Sequence, residues 1–209
     1  MNCYMKRVHS PNLQLHKSSL ILNPCTPLND NAWMTSPDRL SGTQIFVVMG
    51  VAGSGKSTLA TMLARACGGE LLDADDFHPP ENIVKMKSAT PLNDADRVGW
   101  LNRLNRELNR RIDRPRPVFL ACSALKRAYR VEITHGLAVN WIYLKISRAA
   151  VGIRMQQRKD HFMPAALLDS QFEALEEPGS SDAFILNAEQ LPAKIEALVK
   201  NAFPTLPWK

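Results

Sequence analysis

Eight residues, Gly50-Val51-Ala52-Gly53-Ser54-Gly55-Lys56-Ser57, match the pattern G-x-x-x-x-G-K-[ST] in full. Their types state a chemistry. Gly50, Gly53 and Gly55 permit positive φ and leave no Cβ in the way, so successive backbone N–H groups can turn inward around phosphate oxygens. A helix opening near Lys56 aims its unpaired N–H groups and positive dipole end at the same anion. Lys56 is then expected to reach the β- and γ-phosphates of a bound nucleoside triphosphate, and the Ser57 hydroxyl to be a ligand of Mg²⁺. With Thr58 in the first helical turn, the loop is read as an ATP site.

Other charged residues have the spacing to serve that site. Asp73 and Asp75 stand two apart at the end of an expected short strand, so both can project to one side. Carboxylates beside a triphosphate repel it unless a metal ion lies between them. Asp73 is therefore expected to face Mg²⁺ through water, and Asp75 to stand further out and accept the proton of a substrate hydroxyl. His78 precedes two prolines on a fixed loop; it can hydrogen-bond a hydroxylated substrate, or have no catalytic task. Lys126 and Arg130, like Arg154 and Arg158, are like-charged pairs four apart, a spacing that costs ~0.2–0.5 kcal/mol on an isolated helix. A solvated face tolerates that cost, and an anionic ligand relieves it. Arg154 and Arg158 lead into the polar turn 159–163, where guanidinium groups closing over phosphates would stabilise the spread charge of a transferring phosphoryl group.

These groups must be delivered by strands and helices. Residues 45–49 form a short apolar run suited to a strand buried on both faces. Helices are expected over 57–67, ended by Gly68-Gly69, then over 81–88, 93–112, 147–158, 164–176 and 190–201. Strands are expected over 70–73, 117–121, 141–145 and 183–186. In the 93–112 helix Asn93 serves as cap, and Val98, Leu101, Leu104 and Leu108 form the inward stripe. Arg97 lies in line with that stripe and so requires an anionic partner. Strands alternating with helices point to an α/β fold with a parallel sheet and right-handed crossovers, ligands binding at the carboxyl ends of the strands. No N-K-x-D motif selects guanine, and the third strand ends in Ala121-Cys122-Ser123 without the terminal Asp of a motor-type ATPase.

Composition narrows the class. The chain has 209 residues, a net charge of +6 and a hydrophobic fraction of 45%, enough for one α/β domain with a sizeable core. Its basic residues are single and spaced, which favours a small anionic ligand over nucleic acid. No apolar run approaches membrane-spanning length. Cys3, Cys25, Cys67 and Cys122 form no metal spacing and fit a reducing, cytoplasmic setting, with Cys67 and Cys122 as core residues. Residues 1–42, with Pro11, Pro24, Pro27 and Pro37 and no sustained period, read as a poorly ordered extension ahead of a domain at 43–209. A transit segment and an extended start, with Met34 opening the working polypeptide, both fit that extension.

At this point the motifs resemble a known family. MGVAGSGKST, DADDFHPPENIVKMKSATPLNDADR, CSALKRAYR, and R-x-x-x-R-K-D-H-F-M with SQFEALEEP together look like gluconokinase of the thermoresistant type, over residues 45–178. The resemblance implies transfer of the ATP γ-phosphate to the 6-hydroxyl of D-gluconate with Mg²⁺, a homodimer, a five-stranded sheet of order 2-3-1-4-5 and a small lid over about 154–170. It places the glycine loop and Lys56 on ATP, Asp75, His78, Arg97, Lys126 and Arg130 on the substrate, and Arg154 and Arg158 on the lid. A kinase of the same fold acting on shikimate or a nucleoside monophosphate is the runner-up.

Overall fold

The computed structural model describes residues 44–88, 90–157 and 165–209. The extension at 1–42, Arg158 and the middle of the expected lid lie outside the described residues.

Strand β1 (Ile45–Met49) is buried at every position because it occupies the centre of the sheet, pairing in parallel with β3 (Val118–Ala121) on one side and β4 (Asn140–Lys145) on the other. β2 (Glu70–Asp73) pairs with β3 and β5 (Phe184–Asn187) with β4, so the order is β2-β3-β1-β4-β5, all parallel. That order is the expected one. After β3 the chain crosses to the other side of β1, and ligands of such sheets bind at the carboxyl ends of the strands where the order switches.

Alternation along β1 divides the core in two. Phe46 and Val48 face α1 (Lys56–Cys67) and α7 (Pro192–Ala202), whereas Ile45, Val47 and Met49 face α3 (Asp94–Asn109) and α4 (Arg127–Ile133). Helices thus cover both faces. Cys67 and Cys122 are buried thiols in these two layers, as expected. α2 (Pro80–Lys87), α5 (Arg148–Gln156) and α6 (Ala165–Ala174) complete the fold.

Helix α3 opens on a capping box. The Asn93 side chain accepts from the Asp96 N–H, and the Asp96 carboxylate accepts from the Asn93 N–H. It closes at Asn109, three residues short of the expected end. Its buried stripe is Trp100, Leu101, Leu104 and Leu108. Val98 is 54% exposed, so its place in the expected stripe is corrected to Trp100, which turns toward the strand ends. Of the pair four apart after β3, Lys126 is the N-cap of α4 and Arg130 lies within the helix.

Candidate active site

The glycine loop has the conformation its sequence requires. Gly50 (φ 146), Gly53 (φ 76) and Gly55 (φ 100) all have positive φ. A Cβ at Gly50 would approach the Leu144 carbonyl and Ser54 Oγ at 2.9 Å, so this position is closed to side chains by packing as well as by torsion. Lys56 folds its ammonium back to donate to the Val51 carbonyl at 3.0 Å, over the mouth of the loop. The Ser54 side chain is 2% exposed, and its Oγ has no hydrogen-bond partner among the described residues.

At the start of α1 the Ser57 hydroxyl donates to Asp73 Oδ2 at 2.9 Å. Asp73 ends β2, and its other oxygen accepts from the Asp75 N–H at 3.1 Å, capping the 3₁₀ turn Ala74–Phe77. A hydroxyl and a carboxylate, both hard oxygen donors, thus converge beside the phosphate loop. Mg²⁺ keeps several water and phosphate ligands and needs only one or two from the protein, so this pair fits it. Among the described residues no cluster of three or more His, Cys, Asp or Glu offers a self-sufficient metal cage.

The turn that follows carries Asp75. Its carboxyl tip reaches solvent, but it sits in a crowded cleft; desolvation, then the Asp73 charge, push its pKa up against the pull of Lys56. The turn is held from below by α3, where Trp100 Nε1 donates to the Ala74 carbonyl at 2.8 Å and Arg103 donates to the Phe77 carbonyl at 3.2 Å. His78 is buried and stacked on the Trp100 ring, with centroids 4.4 Å apart, and its Nδ1 lies 3.4 Å from Asn82 Nδ2. Burial, then the nearby Arg97 charge, push it down to about 4, so it is a neutral imidazole at physiological pH.

The first turns of α3 and α4 bring two of the expected substrate cations, Arg97 and Lys126, together around Asp94 and Tyr129. Arg97 is partly buried, donating to the Leu92 carbonyl at 2.5 Å and to Tyr129 Oη at 3.3 Å. Lys126 donates to both Asp94 oxygens, at 2.8 and 2.9 Å. Arg130 turns the other way, donating to the Ala124 and Leu125 carbonyls at 3.1 and 3.0 Å. It thereby fixes a loop in which Ala124 carries a positive φ of 43°. The spacing of Lys126 and Arg130 therefore reflects two different tasks rather than one charged helix face.

On the far side of the glycine loop, Arg154 on α5 donates to the Ser54 carbonyl at 3.2 Å and also to the Ala188 carbonyl beyond β5. It lines a cavity of about 400 Å³ together with Gly53, Gly55, Thr58, Gln190 and Pro192. Gln190 Oε1 is buried with no partner among the described residues. Two contacts were not legible in the sequence. Gln171 Oε1 on α6 accepts from the Ala52 N–H at 2.7 Å, reaching the phosphate loop from 119 residues away. Glu176 accepts from the Arg127 N–H at 2.6 Å and so ties the same segment to α4. Both lie in SQFEALEEP, whose residue types alone assign no contact.

A glycine loop opening α1, a Ser–Asp pair beside it and paired cations at the starts of α3 and α4, on a parallel sheet of this order, define a P-loop small-molecule kinase. The model of the AAA domain family matches residues 45–178. The chain is 41% identical over 143 residues to the thermoresistant gluconokinase of Escherichia coli (strain K12), a match covering 68% of this chain and 82% of that protein. It is 40% identical over 145 residues to the thermosensitive gluconokinase of the same strain, covering 69% of this chain and 78% of that one. Among solved structures, a gluconokinase from Sinorhizobium meliloti 1021 superposes with a TM-score of 0.69 at 38% identity, over 81% of this chain and 95% of that one. The chain belongs to the gluconokinase family.

Proposed function

We propose that this chain transfers the γ-phosphate of ATP to the 6-hydroxyl of D-gluconate, giving 6-phospho-D-gluconate and ADP. The observation that carries this reading is the Ser57–Asp73 contact at the phosphate loop, with Asp75 on the turn that Asp73 caps and His78, just after that turn, beside the Arg97 charge. A triphosphate site alone explains the first part. The second part suits a small, anionic, hydroxylated acceptor.

Phosphoryl transfer asks for positioning and charge neutralisation more than for a strong base. Gly50 to Thr58 would hold the phosphates, with Lys56 moving from the Val51 carbonyl to the β- and γ-oxygens. Ser57 and Asp73 would hold Mg²⁺, which neutralises phosphate charge when bound. The 400 Å³ cavity that Gln190 and Pro192 line would receive the nucleotide base, with Arg154 at its edge beside the phosphate loop. Asp75 would orient the acceptor hydroxyl and take its proton, its raised pKa supporting that role. Arg97 and Lys126 would face the carboxylate, Arg130 would join them only by leaving the Ala124 and Leu125 carbonyls, and His78, neutral, would face a hydroxyl group. Arg158 is assigned with Arg154 to the transferring phosphoryl group, although it lies outside the described residues.

A homodimer is part of the same reading; the exposed apolar side chains of Ile83, Val84 and Met86 on α2 supply surface for it. Light scattering of the purified chain tests this, and a monomer at micromolar concentration would dismiss it. A cytoplasmic location rests on the thiol cysteines and is checked by cell fractionation. Product analysis tests the reaction. Phosphorus NMR after incubation with ATP, Mg²⁺ and D-gluconate is expected to show one phosphate ester, on C6; an ester at another carbon, or none, rules the assignment out.

A further inference from the structure

Two further residues, Asp94 and Tyr129, lie between the proposed substrate cations. Asp94, the first residue of α3, receives both Lys126 hydrogen bonds and that of the Tyr129 hydroxyl, and lies 3.9 Å from the Arg97 guanidinium. Tyr129 accepts in turn from Arg97, and its ring is flanked by both cations, each 5.4 Å from the centroid. The tyrosine is buried, at 8% exposure, whereas the Asp94 side chain is 66% exposed.

An ion pair this open to water contributes little to stability, because solvent screens it and two side chains must be held still. What it does do is restrict conformation. Lysine and arginine are the side chains with most rotamer freedom to lose on meeting a ligand, and a cation already held in place loses less. Here both are held by one carboxylate and one phenol, across the junction of two helices that carry the expected acceptor site.

We propose that Asp94 and Tyr129 are positioning residues of the acceptor site, holding Lys126 and Arg97 in place for the carboxylate of a sugar acid. The inference rests on the assignment of Lys126 and Arg97 to the acceptor given above. Holding two cations in advance is worth about two- to tenfold each in affinity. Asp94→Asn keeps the shape and removes the charge, and Tyr129→Phe keeps the buried ring and removes the hydroxyl.

Steady-state kinetics of the full chain with ATP and D-gluconate, wild type and variants side by side, test this. Each variant is expected to raise KM for gluconate, about tenfold for Asp94→Asn and about threefold for Tyr129→Phe, with kcat and KM for ATP within about twofold. Because both act through one network, the double variant is expected to raise KM by less than the product of the two. A KM for gluconate unchanged or lowered in both single variants, or a fall in kcat alone, overturns the inference. Tyr129→Phe decides the matter if Asp94→Asn does not fold. A wild type that leaves gluconate untouched overturns the acceptor assignment itself, a different result from a wild type that turns it over as readily as its variants.

Discussion

Asp75 and His78 stand three residues apart, and their environments move them in opposite senses. Burial and Asp73 raise the Asp75 carboxyl, so its charged form is the disfavoured one and costs stability as pH rises through its folded pKa. Asp75→Asn is therefore expected to lower kcat by about 100-fold while leaving the thermal midpoint equal or higher; near-normal kcat would remove Asp75 from the chemistry. For His78 the sign is reversed. Its folded pKa of about 4 lies below the ordinary 6.5, so the unfolded chain takes up the proton first and stability is lost as pH falls from 6.5 toward 4. His78→Phe, which keeps the stack on Trp100, is expected to flatten the pH–Tm profile in that window. A profile identical to wild type would mean that another group sets the acid limb. The turn of the glycine loop and the place of Asp73 and Asp75 at the end of β2 could be read from the sequence because consecutive or near-consecutive residues set them. Asp94, Tyr129 and Gln171 could not, since their contacts span 35 residues in one case and 119 in the other.

At the scale of elements, the caps and strands were legible for local reasons. Asn93 and Ser147 accept from backbone N–H groups as their types demand, and Gly68 ends α1 in the left-handed conformation. The α3 stripe was misplaced at Val98 because periodicity does not say which edge of a helix meets the neighbouring turn. Trp100 takes that place: it both stacks on His78 and donates to the Ala74 carbonyl, so α3 supports the turn that carries Asp75. Trp100→Phe retains most of the buried ring but leaves that carbonyl unpaired. A loss of about 1–3 kcal/mol in urea unfolding is expected, with a fall in kcat from the loosened turn. An unchanged kcat in a measurably destabilised protein would separate the support of the fold from the support of the site.

The whole molecule sets two half-sites against each other across the carboxyl end of one sheet. β1 and β3 deliver the phosphate loop and the α4 loop side by side, with the Gly50 N–H donating to the Ser123 carbonyl at 3.4 Å. β2 brings Asp73 and Asp75 to the same end. The parallel order followed from alternating strands and helices together with the family likeness. The cleft itself depends on which side chains meet across it, which neither period nor composition encodes. The net charge of +6 belongs to this scale too, and suits an enzyme whose two substrates are both anions. The central claim is the identity of the acceptor, and kcat/KM measured by coupled ADP release across D-gluconate, shikimate, AMP and CMP tests it most directly. The structure and its relatives lead to turnover of D-gluconate far above the other three, lost when Mg²⁺ is chelated and restored on its return. Basal hydrolysis with gluconate beside rapid turnover of another acceptor would contradict it.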